Sequence, residues 1–537
     1  MPPLPEGFYL SRIYSAFSNS CLFDYDNRVK LFGKHSVFNY SNQQLAIDCS
    51  LNASLSIVLS PDYLTERKWI PPLLLRRSPN EVLVKQRQQL LDDKLNRVRN
   101  ASKIHITISE DEVFTVIDAW NQIPQSVTRG YIDHIQDVCY QVHSKKYLSS
   151  KWSISIIVLV TCGNEEQLFI QTILKPDVEK RVKQGKQLPS VLVLEFDAVS
   201  RLMFHRKMPK TISFIENKLK NSIKYTTIEF EKYHSLGRNS NNNLRPLLCA
   251  SGPLGYGRLN IENKTAHLPC TLDNFIFNVF KSNGYSTSLI TNICYDYIGG
   301  YFGEADAYNV DYEYAAWSCH PEYDVYGNWN SYDGPYGVNR RCINGKYVHK
   351  YQMDIIKDFV YKHVVKQLPY FSFISFIEGH EFGLNVLGLV DNDFVELLEH
   401  LTSPSFHQQQ PPIIFILADH GLHYGPMWSR TRAGRLESRL PILIIIIPNE
   451  YLMSSDKKQM LIQNQFRLVT PRDIYWTLFN IASPKKNNTV NDFRRQSLFD
   501  DLSVERNCST EGIPKWLCAC SEDGIKINPA LLRKKKQ

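Results

Sequence analysis

The sequence predicts an α/β fold in which helices flank a mostly parallel β-sheet. Two segments carry this prediction, VLVLEFD at residues 191–197 and IIFILADH at residues 413–420. Each is a continuous apolar run rich in β-branched residues, which is typical of strands buried on both faces of a parallel sheet. In addition, predicted strands and helices alternate from residue 191 to residue 482, a pattern that places helices on both faces of such a sheet.

Within this α/β region each element follows from its local pattern. Runs of β-branched or aromatic residues predict strands, and apolar residues at helical spacing predict the helices between them. The predicted strands are 191–196, 223–230, 286–291, 369–376, 413–417 and 441–447, and the predicted helices are 209–220, 271–283, 350–367, 391–401 and 471–482. Residues 300–345 are rich in glycine and aromatic residues and are expected to form an insertion loop over the rim of the sheet.

The two ends of the chain have a different character. The N-terminal part is expected to be irregular, with a charged helical candidate at 81–98. The β-branched segments 152–160 and 166–174 flank the turn CGNEE and predict a hairpin. We therefore expect three parts: an irregular, β-containing N-terminal region at 1–185, the α/β domain at 186–500 and a cysteine-rich C-terminal tail at 501–537.

Composition limits the expected partners and compartment. The net charge of +8 is modest for 537 residues, and neither a basic stripe nor a known module is present, so nucleic acid is not an expected partner. Twelve cysteines are scattered without a CxxC pair, which favours disulfides in an oxidising compartment over a zinc ribbon. Six N-x-S/T sequons agree with an extracellular or secretory location, at Asn39, Asn52, Asn100, Asn263, Asn487 and Asn507.

The N-terminal residues conflict with that location. They contain no apolar signal core, and the longest apolar span, residues 152–162, is too short to cross a bilayer, so no transmembrane segment is expected in this sequence. Either the protein is cytosolic with free thiols, or this sequence lacks its true N-terminal exon. We favour the second interpretation and expect at least one disulfide among Cys508, Cys518 and Cys520.

Acidic residues follow the two strands that define the fold. Asp197 ends the first segment, and Asp419 and His420 end the second. Ligands of open α/β sheets bind beyond the carboxyl ends of the strands, so these three side chains should meet at one rim. Two carboxylates and an imidazole are a plausible divalent-metal site. The alternative is that each acid only caps the turn that follows its strand.

A serine between these segments is the candidate nucleophile. Residues 234–251 read HSLGRNSNNNLRPLLCAS and lead from a glycine-containing loop into a short helix, with Ser240 at or near its N-terminus. Free N–H groups and the helix dipole favour an anion there. A metal-bound hydroxyl can be deprotonated at neutral pH and attack phosphorus or sulfur. The alternative is that Ser240 is only an N-cap residue.

The order of these motifs resembles a known superfamily. FDAVSR, GRNSNNNLRPLL, ADHGLHYG and RTRAGRLESRLP follow one another as in the alkaline phosphatase-like superfamily. More closely, residues 185–500 are similar to the sulfatase-like "domain of unknown function 229" family, and CSTEGIPKWLCAC is similar to that family's tail. The resemblance implies an alkaline phosphatase-like core, an extracellular protein, and one metal held by Asp197, Ser240, Asp419 and His420. It also implies that Ser240 is the catalytic nucleophile.

The resemblance leaves a second metal open. The superfamily usually supplies another aspartate and two histidines, and SFIEGHEFGLN at 375–385 matches only through His380, because Phe376 occupies the position of the acid. His423 follows the Asp-His pair by three residues but matches no ligand. A one-metal site in which His380 acts on substrate or leaving group is therefore an open alternative.

Three further residues are candidates for substrate binding. Arg238 stands where the family more often has an acidic residue, and it could grip an anionic ester with two hydrogen bonds. Asn243 matches a family position, and Glu381 lies in the histidine segment. The family usually has threonine in place of Ser240, for which serine is chemically adequate. The C/S-x-P-x-R signature of true sulfatases is absent.

Together these observations predict a metal-dependent hydrolase or transferase for phosphate-type or sulfate-type esters. The expected metal is zinc, because histidine supplies imidazole, with calcium or manganese as alternatives. The expected partner is an anionic ester, either a small molecule or a glycan or lipid headgroup. Two rival interpretations are a secreted binding or structural protein that keeps the fold without turnover, and a cytosolic phosphomutase-like enzyme with reduced cysteines.

Overall fold

The computed structural model describes the backbone of strands between residues 36 and 172 and most of the chain from residue 174 to residue 520. The continuous described ranges are 174–182, 188–250, 273–293, 310–314, 341–343, 345–381, 385–403, 411–452, 456–484 and 496–520, with residues 270 and 318 also described. The helical candidate at 81–98 and most of the predicted insertion loop at 300–345 lie outside the described residues.

The strands and helices have the following bounds. The strands are β1 (Ser36–Ser41), β2 (Gln44–Cys49), β3 (Ala53–Leu59), β4 (Lys103–Thr107), β5 (Phe114–Thr115), β6 (Ser155–Cys162), β7 (Glu165–Thr172), β8 (Val191–Phe196), β9 (Tyr225–Glu229), β10 (Lys232–Tyr233), β11 (Ser286–Thr291), β12 (Tyr312–Tyr314), β13 (Cys342–Ile343), β14 (Lys346–Tyr347), β15 (Tyr370–Phe376), β16 (Ile413–Leu417), β17 (Leu443–Pro448) and β18 (Leu468–Val469). The α-helices are α1 (Pro176–Arg181), α2 (Arg201–Lys207), α3 (Pro209–Phe214), α4 (Ser240–Cys249), α5 (Ile276–Ser282), α6 (Val348–Val365), α7 (Asp391–Thr402), α8 (Gly425–Arg430), α9 (Arg432–Glu437), α10 (Asn449–Leu452), α11 (Lys457–Asn464) and α12 (Pro471–Ala482). A π-helical turn at Ile215–Leu219 continues α3, and 3-10 turns lie at Ile377–Gly379 and Leu387–Leu389.

The central sheet has seven strands in the order β12-β11-β15-β8-β16-β17-β9. Neighbouring strands run parallel from β12 to β16. In this sheet β17 alone runs in the opposite direction, antiparallel to β16 on one side and to β9 on the other. The predicted fold class, a mostly parallel sheet flanked by helices, is therefore confirmed.

The two strands that predicted the fold lie side by side at the centre of this sheet. Every residue of β8 and β16 is buried, which explains their continuous apolar sequences. Phe196 at the end of β8 stacks on Phe376 of the neighbouring strand, with ring centroids 5.0 Å apart, and meets Phe394 of α7 edge-on at 5.1 Å. These contacts fix the point at which both strands end, and so position the residues that follow.

Two groups of helices cover the sheet. Helices α4, α5 and α12 contact one another, and α6 contacts α7, which in turn contacts α3. The helix predicted at 271–283 begins only at Ile276. The carbonyl of Asn274 accepts a hydrogen bond from the Tyr475 hydroxyl at 2.7 Å, so that its partner comes from α12 instead of from a helical amide.

The predicted hairpin is confirmed as β6 and β7, which pair antiparallel over their full length. They join β3 and β4 in a four-stranded antiparallel sheet. The end of β7 contacts the α/β region, because the amide of Thr172 donates to Asp358 of α6 at 2.6 Å and the Tyr314 hydroxyl donates to Thr172 at 2.9 Å. The division at residue 185 stays a prediction.

Disulfides join described cysteines in two places. Cys249 at the end of α4 pairs with Cys270, and Cys508 pairs with Cys518 in the C-terminal tail. Cys342 is also disulfide-bonded, whereas Cys520 is an exposed free thiol. The expected disulfide within the tail is therefore confirmed. Among the described residues, no helix has the length and apolar character needed to cross a membrane.

Candidate active site

Three predicted ligands meet at the carboxyl edge of the central sheet. Asp197 directly follows β8, and Asp419 and His420 follow the neighbouring parallel strand β16. One ligand atom from each residue lies within 4.8 Å of the others, and all three side chains are buried. Adjacent parallel strands that end together thus bring residues 222 positions apart (419 − 197) into one cluster.

The orientation of His420 leaves a lone pair facing the carboxylates. Its Nδ1 lies 2.9 Å from the carbonyl of Gly421, which can only accept, so Nδ1 carries the proton. Burial lowers the pKa of His420 to about 3, so the ring is neutral. Its Nε2 therefore presents a lone pair 3.3 Å from Asp419 Oδ2 and 4.0 Å from Asp197 Oδ1. That arrangement is repulsive unless a cation lies among the three atoms.

The two aspartates are buried close together, where ionisation of both is unfavourable without a cation. Burial raises the pKa of both carboxyl groups, and the charge of Asp419 raises that of Asp197 further. Asp419 Oδ1 accepts from the amides of Ala198 and His420, but its buried Oδ2 has no hydrogen-bond partner among the residues that the structure describes. Within the described part of the chain, no lysine or arginine forms an ion pair with either acid. The donor set therefore fits a divalent cation.

The backbone between the ligands is held in an unusual conformation. Ala198 has a φ of 63°, in the left-handed region that L-residues rarely adopt. Its amide donates to Asp419 Oδ1 at 3.2 Å, which links the turn after β8 to the turn after β16. Local strain of this kind is concentrated at functional sites.

Ser240 completes the cluster from the other side. It is the first residue of the ten-residue helix α4, and Asn239 is the N-cap residue. The alternative interpretation of Ser240 as an N-cap is therefore wrong. Its Oγ lies 3.4 Å from both Asp197 Oδ1 and His420 Nε2. A hydroxyl in this place lies at the positive end of a helix dipole and next to the predicted metal ligands.

The loop before Ser240 is shaped by Asn243. Its Oδ1 accepts from the amides of Leu236 and Gly237, at 2.7 and 3.1 Å, and its Nδ2 donates to the carbonyl of Asn239 at 2.9 Å. A Cβ on Gly237 would lie only 2.1 Å from the Cβ of Asn242, so the close approach requires glycine. The described contacts of Asn243 are thus to the loop, and its role in substrate binding stays a prediction.

Two histidines and a tyrosine extend the site. His380 follows the 3-10 turn after β15, and its Nδ1 lies 3.2 Å from the Tyr424 hydroxyl. His423 was not matched to a role by the sequence, yet its ring centroid lies 4.8 Å from that of His420 and 6.4 Å from that of His380. Its position three residues after the Asp-His pair, in the same loop, was the available signal.

The pKa of His423 is shifted strongly, as is common for side chains in active sites. Burial lowers its pKa to about 3, assisted by His420 and His380 and opposed by Asp419. Its Nδ1 is buried and has no hydrogen-bond partner among the described residues. The neutral ring can therefore accept a hydrogen bond from, or donate one to, a bound molecule.

The segment for which the sequence left a second metal open contains a carboxylate that is paired with an arginine. Glu378 follows β15 and is buried, with Oε1 3.2 Å from Nη1 of the buried Arg341. The Nδ2 of Asn292 donates to both carboxyl oxygens, at 2.8 and 3.0 Å. Phe376 lies in the aromatic core next to Phe196. Across the described residues, only the Asp197 cluster groups three or more potential metal ligands.

A buried glutamate lies beneath the cluster and was not predicted. Glu195 is two residues before Asp197 on β8 and is fully buried, and among the described residues neither of its carboxyl oxygens has a hydrogen-bond partner. Burial raises its pKa well above the ordinary value, and the charges of Asp419 and Asp197 raise it further. These shifts favour the neutral form of Glu195. The only sequence signal was a charged residue inside an otherwise apolar strand.

The remaining candidates lie at the rim. Arg238 is exposed, and its guanidinium carbon lies 4.7 Å from the centroid of the Trp516 ring. Glu381 is buried, and its Oε2 accepts from the amide of Asn385 at 2.9 Å. The substrate-binding roles of Arg238 and Glu381 stay predictions.

Comparison with known sequences places the chain in a family. Residues 85–291 and 326–535 match DUF229, which is described as a protein of unknown function. The chain belongs to the DUF229 family. The resemblance predicted from its motifs is thereby confirmed. No curated protein matches the sequence significantly.

Solved structures with detectable similarity are distant. The C-terminal periplasmic domain of EcEptC from Escherichia coli, in complex with Zn, is 10% identical, with 60% of this chain and 90% of that chain covered and a TM-score of 0.39. The lipoteichoic acid synthase LtaP from Listeria monocytogenes is 12% identical, with coverage of 61% and 80% and a TM-score of 0.39. A protein in the alkaline phosphatase superfamily from Vibrio parahaemolyticus is 12% identical, with coverage of 57% and 71% and a TM-score of 0.33. At these values the likeness transfers neither a substrate nor a residue role.

Proposed function

We propose that this protein is a metal-dependent hydrolase or transferase that acts on phosphate-type or sulfate-type esters with Ser240 as nucleophile. The observation that carries the proposal is the position of Ser240 Oγ, 3.4 Å from both a buried carboxylate and an unprotonated imidazole nitrogen. Ser240 is also the first residue of a ten-residue helix, whose free N–H groups favour an anion. A serine with only a structural role would not need this charged environment.

Asp197, Asp419, His420 and Ser240 would hold the cation. When bound, the cation supplies a lowered pKa for the serine hydroxyl and compensation of negative charge in the transition state. Zinc is the first candidate because the donor set combines imidazole nitrogen with carboxylate oxygens, and calcium and manganese follow. Asp197 and Asp419 are buried without a lysine or arginine partner among the described residues, which supports a site that is filled in the working protein.

The chain's own residues provide the other requirements of ester cleavage. If Ser240 attacks the central atom of the ester, His380, whose ring centroid lies 6.4 Å from that of His423, is the candidate to act on the leaving oxygen. If the Tyr424 hydroxyl donates to Nδ1 of His380, as the 3.2 Å contact allows, the Nε2–H group can donate a hydrogen bond to the leaving oxygen as negative charge develops there. His423, with an unpartnered ring nitrogen, supplies a second imidazole beside the ester.

The decisive experiment removes the nucleophile and keeps the ligands. Ser240→Ala should abolish turnover of aryl phosphate, phosphodiester and aryl sulfate esters, by at least about a thousandfold, while metal content and folding are retained. Ser240→Thr should keep activity, because it preserves the hydroxyl. Ser235→Ala is the matched control, since Ser235 is a buried serine in the same loop whose hydroxyl has no hydrogen-bond partner among the described residues.

One rival proposal is a secreted binding protein that has lost turnover. It would be favoured if the fully metallated wild-type protein cleaved none of these esters while Ser240→Thr combined with Arg238→Asp did. In that case the metal site would be structural. Equal activity of Ser240→Ala and wild type would exclude Ser240 as the nucleophile.

We also propose an extracellular or secretory location. The Cys249–Cys270 and Cys508–Cys518 disulfides support an oxidising compartment. Asn507, which begins an N-x-S sequon, is exposed and accessible to glycosylation. Thiol titration of the denatured, unreduced protein tests this location, because finding all twelve cysteines free would contradict it.

A further inference from the structure

The C-terminal tail docks directly on the loop that precedes Ser240. The amide of Ala519 donates to Nε2 of His234 at 3.0 Å. Leu236 is buried in a small cluster with Ile513 and Leu517 of the tail. The tail loop between Cys508 and Cys518 is closed by a disulfide, so it reaches this position as a covalently closed unit.

Trp516 of this loop contacts two arginines at once. The guanidinium of Arg238 lies over its ring, with 4.7 Å from Cζ to the ring centroid. Nη2 of Arg439 donates to its backbone carbonyl at 3.2 Å. Stacking on an aromatic face limits the freedom of an exposed arginine without using its N–H donors, which stay available to an anion.

A third arginine shares this neighbourhood. Arg435 lies in α9 and stacks on Trp428 at 5.0 Å. Burial lowers the pKa of Arg439 to about 10, and the positive charges of Arg238 and Arg435 add to this effect. Arg238 precedes Ser240 by two residues and Arg435 precedes Arg439 by four, so this group of cations lies next to the candidate nucleophile. An anion bound among them would be attracted by three positive charges.

We propose that Arg238, Arg435 and Arg439 form a second anion subsite beside Ser240, and that Trp516 is the positioning residue that holds two of them. The ligand class is an ester that carries a further anionic group, such as a second phosphate, next to the group that is attacked. The subsite explains why a tail far from the sheet in sequence is docked against the nucleophile loop. As a statement about substrate it rests on the proposed function, whereas its capacity to bind an anion does not.

Titration of the metal-free, full-length protein with inorganic phosphate tests the subsite by itself. Calorimetry at low ionic strength should show that Arg439→Gln and Trp516→Ala each weaken phosphate binding about tenfold. Trp516→Phe should bind like wild type, because it restores a ring for Arg238 and leaves the backbone carbonyl in place. A merely structural role of Trp516 would change thermal stability without this pattern of affinity.

Controls separate a local effect from a loss of net charge or of folding. Lys218→Gln removes one positive charge at an exposed position of the π-helical turn and should leave phosphate affinity unchanged. If Trp516→Ala does not fold, Arg238→Gln gives the same measurement, because Arg238 is exposed. Equal phosphate affinity in Arg238→Gln, Arg439→Gln and wild type would overturn the proposal, and so would an equal loss in Lys218→Gln.

Failure of this inference and failure of the proposed function give different results. If the protein turns over aryl phosphate but the metal-free form binds phosphate equally well in wild type, Arg238→Gln and Arg439→Gln, the catalytic proposal stands and the subsite is wrong. If phosphate binding follows the arginines but no ester is cleaved by the metal-loaded protein, the subsite stands and the catalytic proposal is wrong.

Discussion

Asp197 and Glu378 follow neighbouring parallel strands of one sheet, are both buried, and differ in how their charges are met. Glu378 lies 3.2 Å from the guanidinium of Arg341 and accepts two hydrogen bonds from Asn292. Asp197 instead lies near another carboxylate, that of Asp419, which raises its pKa. One half of the rim is therefore compensated within the protein, and the other half has the donor set of a candidate cation site. The comparison distinguishes an acid with a partner in the protein from one that we propose as a metal ligand.

The largest effect on stability is expected for Glu378, the acid that is paired within the protein. Glu378→Gln should lower the free energy of unfolding by about 3–5 kcal/mol, because it leaves the charge of Arg341 buried without its carboxylate. Denaturant unfolding measures this change. Metal content should stay at the wild-type level, and a parallel loss of metal would show that Glu378 belongs to the metal site after all.

For Asp419, which has no such partner among the described residues, substitution should weaken metal binding and not lower stability. Asp419→Asn should weaken metal affinity by more than about a hundredfold, because it removes a direct ligand and the loss of an outer-shell partner alone costs up to that much. Unfolding of the metal-free variant should be no easier than that of wild type, since the repulsion between two buried carboxylates is removed. Metal analysis after dialysis reports the first effect, and Glu381→Ala serves as the control that keeps its metal.

A smaller effect concerns the docking of the tail beside the rim. Burial lowers the pKa of His234 from 6.5 to about 4, with a smaller contribution from the charge of Arg439. As the pH falls below 6.5, the unfolded chain takes up this proton before the folded protein does. Stability from the neutral His234 is therefore complete above pH 6.5 and is lost progressively toward pH 4.

Between pH 7 and pH 5 this loss should amount to about 2 kcal/mol. The comparison variant is His234→Gln, which keeps an acceptor for the Ala519 amide and cannot titrate. Unfolding curves of the two proteins should converge as the pH falls. Identical pH dependence of both would mean that His234 does not contribute.

The smallest effect is expected at a second buried glutamate. Within the described part of the chain, the carboxyl oxygens of Glu195 have no hydrogen-bond partner, and burial raises its pKa, which favours the neutral acid. Glu195→Gln should therefore change the free energy of unfolding by less than about 1 kcal/mol, in contrast to Glu378→Gln, because it exchanges one neutral group for another of the same shape. A loss as large as that of Glu378→Gln would show that Glu195 is ionised in the folded protein.

Much of the fold could be predicted from the sequence because it depends on local patterns. The strands at 286–291 and 413–417 and the helix at 471–482 have the bounds that were predicted. Buried parallel strands are continuous apolar runs, and such runs can be read without knowing what covers them. The convergence of Asp197 with Asp419 followed from the same logic, since parallel strands end at one edge.

Other features could not be predicted because they depend on which distant residues meet. Nothing local distinguishes Glu378, which is paired, from Asp197, which is not, until Arg341 and Asn292 are placed beside it. The contact of Trp516 with Arg238 was missed for the same reason, because most of the α/β domain separates the two residues in sequence.

The sequence by itself determined the elements of this protein, the order of its motifs and its family. Those properties reside in short stretches whose period and composition are set by the backbone. The tertiary structure alone decided which charges are compensated, as in the ion pair of Glu378 with Arg341. It also decided which distant groups meet, as in the hydrogen bond between His234 and Ala519, which are 285 residues apart. The physical reason is that burial and charge pairing depend on the neighbours in space that supply a counter-charge, and a linear pattern does not contain those neighbours.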